Sequence, residues 1–233
     1  MKTKIKTNQQ QKIYLKIGIK EAQSLVRKSY MDPVTTYDVN IMGTVNILNI
    51  LNEIKTIKSS LIITTDKVYK NFETQKPYNE KSELGGFDPY SNSKACAELI
   101  TNSYIKSFFE DKQIKIATAR AGNVIGGGDW AEDRLIPDFM RAIVKKQKVS
   151  IRNPHAIRPW QHVLEPLKGY LMLTQKLYEE GEKFSESFNF GPHESDAKNV
   201  EWIAKHLVAL WGDGAAFEIA ENPSQLHEAH FLK

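Results

Sequence analysis

Tyr90 and Lys94 stand four residues apart in the run Pro89-Tyr90-Ser91-Asn92-Ser93-Lys94, which reads as the start of a helix. Residues at i and i+4 share a helix face. An ammonium beside a phenol favours the phenolate and lowers the tyrosine pKa from its usual value of about 10. That is what a tyrosine needs to act as a base near neutral pH. A second polar set, Thr65-Asp66-Lys67, closes the apolar run Leu61-Ile62-Ile63-Thr64-Thr65. A hydroxyl there could hydrogen-bond a reacting oxygen, while a carboxyl and an amine could supply an acid and a base. Each set alone is weak. A solvated Tyr–Lys pair, or an ordinary Asp66–Lys67 ion pair at a strand end, leaves the same trace.

These side chains need elements that bring a strand end and a helix start together. The β-branched run 61–65 reads as a buried parallel strand, whose carboxyl end is where open α/β sheets bind ligands. Asp32 followed by Pro33 predicts a capped helix with an apolar stripe at Val39, Met42, Val45 and Leu48. Gly43 in that helix reads as a close-packing position. A helix from Pro89 to about Glu110 follows a polar loop over 70–87. Ile114 to Arg120 reads as the next parallel strand, and glycines at 122 and 126–128 let the chain turn away from the sheet. Further on, a helix over 135–147, a strand over 148–152, a helix over Leu164 to Glu180 closed by Gly181, a strand over 187–192, a helix over Val200 to Trp211 and a strand over 216–219 are expected.

With those elements placed, the phrases TTDKVY, PYSNSKACAE, RAGNVIGGGDWAEDRLIPD and RPWQHVLEPLKGYL occur in order and at natural spacing. Together they resemble the extended short-chain dehydrogenase/reductases that act on nucleotide sugars, and among them the CDP-glucose 4,6-dehydratases. The resemblance runs from about Ala22 to the C-terminus. It implies an α/β fold, a doubly wound, Rossmann-like parallel sheet with a small α+β substrate lobe. It also implies Thr65, Asp66, Lys67, Tyr90 and Lys94 as catalytic residues, with Tyr90 and Lys94 touching the cofactor, NAD. Ser24, Asn123, Arg134 and Arg158 are implied as substrate-binding, and CDP-glucose or a related nucleotide sugar as substrate. Arg27 is a further candidate, and Arg134 has a surface ion pair with Glu132 or Asp133 as its plain alternative. His162 is expected to make a structural hydrogen bond. A homodimer through the two long helices is a family expectation.

The family's cofactor fingerprint is a Gly-rich turn from a strand into a helix. This sequence has none: Gly126-Gly127-Gly128 follows the wrong strand and Gly212-Asp213-Gly214 follows a helical run. Residues 1–21 are rich in Lys and Gln and match nothing in the family pattern, although Ile13 to Ile19 could form a strand. The expected organisation is a divergent tail over 1–21 and a remaining part of the Rossmann-like domain over 22–130. A mixed segment over 131–233 adds the substrate lobe and the last strands of the main sheet, around 160–165 and 187–192. The first βα units are expected to be missing, which implies impaired turnover. A truncated, non-catalytic nucleotide-sugar-binding remnant is the alternative. An epimerase or reductase of the same superfamily is disfavoured by Asp66-Lys67.

Composition excludes several other classes. The 233 residues are 41% hydrophobic and 26% charged, enough for one sizeable core. Net charge is +4, but residues 1–20 carry six lysines and no acid, so the rest of the chain is slightly acidic. That body is no nucleic-acid binder. No run of about twenty apolar residues calls for a membrane span. Cys96, the one cysteine, excludes an internal disulfide, reads as a packing residue and fits a reducing, cytoplasmic compartment. His227, Glu228 and His230 are spaced like metal ligands but lack a further partner, so no metal is expected.

Overall fold

The structure, a computed structural model, describes residues 22–221 apart from residue 75. In chain order its helices are α1 (Val26–Met31), α2 (Pro33–Tyr37), α3 (Gly43–Glu53), α4 (Pro89–Tyr104), α5 (Leu135–Val144), α6 (Leu164–Glu180) and α7 (Val200–Trp211). Its strands are β1 (Ser59–Ile63), β2 (Lys115–Ala121), β3 (Asn123–Ile125), β4 (Val149–Ile151), β5 (Ile157–His162), β6 (Ser187–Phe190), β7 (Ala197–Asn199) and β8 (Phe217–Ile219).

The main sheet is parallel, in the order β1-β2-β6. Alternate side chains leave opposite faces of a strand, and both faces of this sheet are covered. Leu61, Ala117 and Ala119 pack with Tyr170, Leu173 and Leu177 of α6. Ile62 and Ile116 pack with Leu48 and Leu51 of α3 and with Phe109 beyond α4. Burial on both sides is why these strands read as continuous apolar runs rather than alternating ones.

α2 and α3 are joined by a π-helical turn, Asp38–Met42, so the helix predicted from Pro33 is one run with a wider turn in the middle. The Asp32 side chain caps it, accepting from the Thr35 N–H at 3.1 Å. The wide turn points Asn40 inward. Asn40 is buried, and its amide accepts from the Gln23 N–H and donates to the Gln23 carbonyl and to Ser93 Oγ. A second π turn, Ile105–Phe109, extends α4. Ahead of α2, Val26–Met31 form a short helix that ends at Asp32.

The second lobe has its own sheet, β3-β5-β7, and a two-stranded pair, β4-β8. Its core is Phe139, Val149, Ile151 and Ala204 between α5 and α7. The expectation that residues around 160–165 belong to the main sheet is not met. β5 pairs with β3 and β7, and Leu164 already begins α6. Local pattern showed a strand there, but which neighbour it meets is decided by the turn at Gly122, which carries the chain directly from β2 into β3. A Cβ at Gly122 would lie 2.6 Å from Pro159 Cγ and 2.8 Å from Asp66 Oδ2, so only glycine permits that close approach. The expected strand at 13–19, the tail over 1–21 and the His227–His230 cluster lie outside the described residues.

Candidate active site

A cleft of about 470 Å³ opens at the carboxyl end of the main sheet and runs under the second lobe. β1 ends at Ile63, and Thr64 and Thr65 carry the chain to the cleft floor. A single 3-10 turn, Asp66–Val68, then presents Asp66 and Lys67. α4 begins at Pro89 with Asp88 as its cap, the carboxylate accepting from the Ser91 N–H and Ser91 Oγ. That cap sets the first turn of α4, and Tyr90 with it, against Thr65.

Ser24, Thr65, Lys67, Tyr90, Asn123, Arg134 and Arg158 all line the cleft. Asp66 and Lys94 stand behind its wall. Asp66 Oδ1 accepts from Lys67 Nζ at 2.9 Å and from Thr65 Oγ1 at 3.1 Å. Its Oδ2 is buried and has no hydrogen-bond partner among the described residues, and the same holds for Asn123 Oδ1. The strand-end ion pair foreseen as the alternative for Asp66 and Lys67 is therefore formed, and it sits in the site. Lys94 Nζ reaches the Ile63 carbonyl at 3.5 Å.

The electrostatics correct one expectation. Tyr90 is not lowered: burial pushes its phenol up to about 12, helped by the Asp66 carboxylate and opposed by the Thr65 hydrogen bond and the Arg134 guanidinium. Lys94 is pulled down to about 8 by its own burial, which the Glu98 carboxylate opposes. Helical spacing puts Tyr90 and Lys94 on one face, but desolvation is the largest influence on each.

Arg134 does not pair with Glu132 or Asp133. It binds Asp129 at 2.9 Å and donates to Ser24 Oγ at 2.8 Å, tying the 22–25 loop to the start of α5. Asp133 instead takes Arg152 at 2.5 Å and Arg27 at 3.5 Å. Arg158 is buried on β5, with one guanidinium nitrogen donating to the Ile157 carbonyl at 2.9 Å. His162 is exposed and its Nδ1 accepts from the Leu164 N–H at 3.3 Å, a structural bond at the start of α6. A side chamber of about 140 Å³ shares Asn123, Arg158 and Trp160 with the main cleft.

Comparisons with known proteins fit this geometry. The family model described as GDP-mannose 4,6 dehydratase matches residues 21–213. The chain belongs to the GDP-mannose 4,6 dehydratase family. A CDP-glucose 4,6-dehydratase of Salmonella typhimurium is 52% identical over 217 residues, covering 91% of this chain and 60% of that relative. Two solved structures share the fold. A UDP-N-acetylglucosamine 4-epimerase from Methanobrevibacter ruminantium superposes with a TM-score of 0.76 at 18% identity, over 91% of this chain and 65% of its own. A dTDP-glucose 4,6-dehydratase from Streptomyces venezuelae, solved with NAD bound, gives 0.75 at 19%, over 91% and 62%.

Within this family frame, residue-by-residue reading missed a buried layer behind the cleft. Glu98 and Arg120 form an ion pair at 2.8 Å, with side chains 2% and 3% exposed. One signal was present: Glu98 falls one helical turn after Lys94, on the same face. The clamp of Asn40 on Gln23 depends on the π turn, which no local pattern announces. Among the described residues no group of three or more His, Cys, Asp or Glu could hold a metal ion, and no helix is long and apolar enough to cross a membrane.

Proposed function

We propose that this chain carries the sugar-binding and acid–base half of a nucleotide-sugar 4,6-dehydratase whose substrate is CDP-glucose and whose cofactor is NAD. The observation that carries the reading is the meeting in one cleft of Thr65, Lys67 and Tyr90 with Asn123, Arg134 and Arg158, with Asp66 paired to Lys67 behind the wall. The 52% identity to a CDP-glucose 4,6-dehydratase supports it, as does Lys67 beside Asp66. A sugar with its C4 hydroxyl at Tyr90 and Thr65 would place its diphosphate among the arginines, where planar guanidinium groups suit phosphate oxygens.

The described residues fit part of the dinucleotide. Lys94 has an ammonium with three donors and a 3.5 Å bond to the Ile63 carbonyl, so it can hold ribose hydroxyls beside Tyr90. No described segment offers a Gly-rich pyrophosphate cradle, so that part of the binding must come from elsewhere, and turnover by the described residues alone is impaired. When bound, NAD would accept the C4 hydrogen as hydride and return it at C6.

The protein groups do the rest. Tyr90 takes the C4 hydroxyl proton, and Thr65 hydrogen-bonds the C4 oxygen. The phenol's elevated pKa must fall for this step; the Thr65 hydrogen bond and the Arg134 guanidinium act in that direction, against the burial that raises it. Lys67 removes the C5 proton, acidified by the C4 ketone, and Asp66 protonates the departing C6 hydroxyl. For these roles Lys67 must be neutral and Asp66 protonated, which is one proton transfer across their 2.9 Å bond. The product is a 4-keto-6-deoxy sugar nucleotide.

Titration calorimetry with CDP-glucose and, separately, with NAD tests the reading, alongside a keto-sugar assay. Saturable CDP-glucose binding, at least tenfold tighter than UDP-glucose or dTDP-glucose, is expected. Absence of CDP-glucose binding overturns the proposal. Equal affinity for the three sugars removes only the cytidine assignment. CDP-glucose binding with neither NAD binding nor keto-sugar restricts the chain to a binding remnant.

A further inference from the structure

Glu98 is a carboxylate in the interior that no step above uses. It lies on α4 one turn beyond Lys94, and its side chain is 2% exposed. Arg120 of β2 grips it with two nitrogens, Nε at 2.9 Å and Nη2 at 2.8 Å. Three hydroxyls complete its shell: Thr118 Oγ1 of β2 at 2.6 Å, Ser187 Oγ of β6 at 3.1 Å, and Thr64 Oγ1 just beyond β1. One carboxylate thus ties α4 to the carboxyl ends of β1 and β2 and to the start of β6.

The network continues to the cleft wall. Arg120 Nη1 donates to the Tyr69 hydroxyl at 2.9 Å, and that hydroxyl donates to Asn189 Oδ1 at 2.5 Å. Tyr69 lines the cleft and stacks on Tyr78, ring centroids 5.1 Å apart. A buried ion pair of this kind is weak evidence for stability, since apolar residues of similar volume hold such positions as well or better. Its value lies in fixing one arrangement beside the candidate machinery: Thr64, which it holds, precedes Thr65, and Lys94 lies one helical turn away on α4.

We propose that Glu98 is a positioning residue, whose Arg120-held carboxylate sets Lys94 of α4 and Thr65, two residues past the end of β1, at a fixed height relative to each other. The inference deepens the proposed function and rests on it for the roles of Lys94 and Thr65. Full saturation by five hydrogen bonds makes the carboxylate a rigid post rather than a proton carrier. Its negative charge also works against the burial of the Lys94 ammonium, with the Arg120 guanidinium facing Glu98 from β2 and Tyr90 lying on the same helix. The post therefore acts on Lys94 through both place and charge.

The test follows the Lys94 resonance by NMR in chain labelled with ¹³C at the lysine ε carbon, assigned by its loss in Lys94→Met. Glu98→Gln alone strands the Arg120 charge, so the informative variant is Glu98→Gln with Arg120→Met, which removes both charges together. That chain is expected to fold, with the Lys94 midpoint lowered by about one pH unit, a tenfold loss in proton affinity. Glu98→Asp keeps the charge and the Arg120 pair but withdraws the carboxylate by one methylene. It is expected to shift Lys94 in the same direction by less. A folded double variant in which Lys94 titrates as in the unsubstituted chain overturns the proposal. If the double variant does not fold, Glu98→Asp decides: an unshifted Lys94 overturns the proposal, a lowered one supports it. CDP-glucose binding by the unsubstituted chain is scored separately, so failure of the proposed function and failure of the positioning role are distinguishable.

Discussion

The two sides of the cleft handle charge in opposite ways. Behind the sheet side, Glu98 and Arg120 are almost wholly buried and saturated with hydrogen bonds. On the lobe side, Arg134–Asp129 and Arg27–Asp133–Arg152 are pairs with side chains 29–40% exposed. Buried charge that loses its partner cannot be rescued by water, so the sheet side is locked in one geometry. Half-exposed pairs contribute little to stability and are screened. Under the proposed function, the lobe side can exchange a carboxylate for the substrate's diphosphate at small cost, while the sheet side holds the proposed reacting groups still. Locked and exchangeable charge pairs are thereby separated across one cleft.

That contrast can be broken experimentally. Arg120→Met on its own leaves Glu98 buried and unpaired, and a loss of ~3–5 kcal/mol in urea unfolding is expected; a loss under ~1 kcal/mol would erase the distinction between the two sides. Lys94→Met should act the other way. Burial holds the Lys94 pKa near 8, below its unfolded value, so below pH 8 the folded chain bears the cost of the charged amine. The substitution is expected to raise stability by about 1–3 kcal/mol at pH 7. The advantage should shrink as pH rises from about 8 towards 10.5, where the unfolded lysine also loses its proton. Unfolding curves at the two ends of that window check the sign.

Smaller effects belong to the lobe side. Arg158→Ala should weaken CDP-glucose binding about 10- to 100-fold by calorimetry, the loss of a charge-assisted contact. Its thermal midpoint tells whether the effect is confined to the cleft. Asp129→Asn, which breaks a half-exposed pair, should cost under ~1 kcal/mol of stability. CDP-glucose affinity in that variant should hold or improve slightly, because Arg134 is released toward the phosphate. A large destabilisation there would show that the lobe side is locked as well.

Glu98 explains why part of the site was legible in the sequence and part was not. Tyr90, Lys94 and Thr65-Asp66-Lys67 were visible because helix periodicity and strand-end position are local properties. So were Asp32 as a cap and the helix over Val200–Trp211. The partners of Glu98 come from residues 20 to 89 positions away, on strands whose order no local pattern states. The upward shift of Tyr90 was equally hidden, since desolvation depends on everything packed around a group and spacing reports only one neighbour.

Alone, the sequence determined the α/β class, the long helices, strands β1 and β2 of the main sheet, the family and the inventory of groups able to move protons or hold phosphate. These follow from residue type, period and motif order. Tertiary structure decided that β5 joins the second sheet, that Arg134 holds Ser24 and Asp129, and that Asp66 and Lys67 pair. It also decided that Tyr90 and Lys94 are governed by burial. The physical reason is common to all four: partner choice and desolvation are properties of the packed chain, and neither exists until the strands and helices have met.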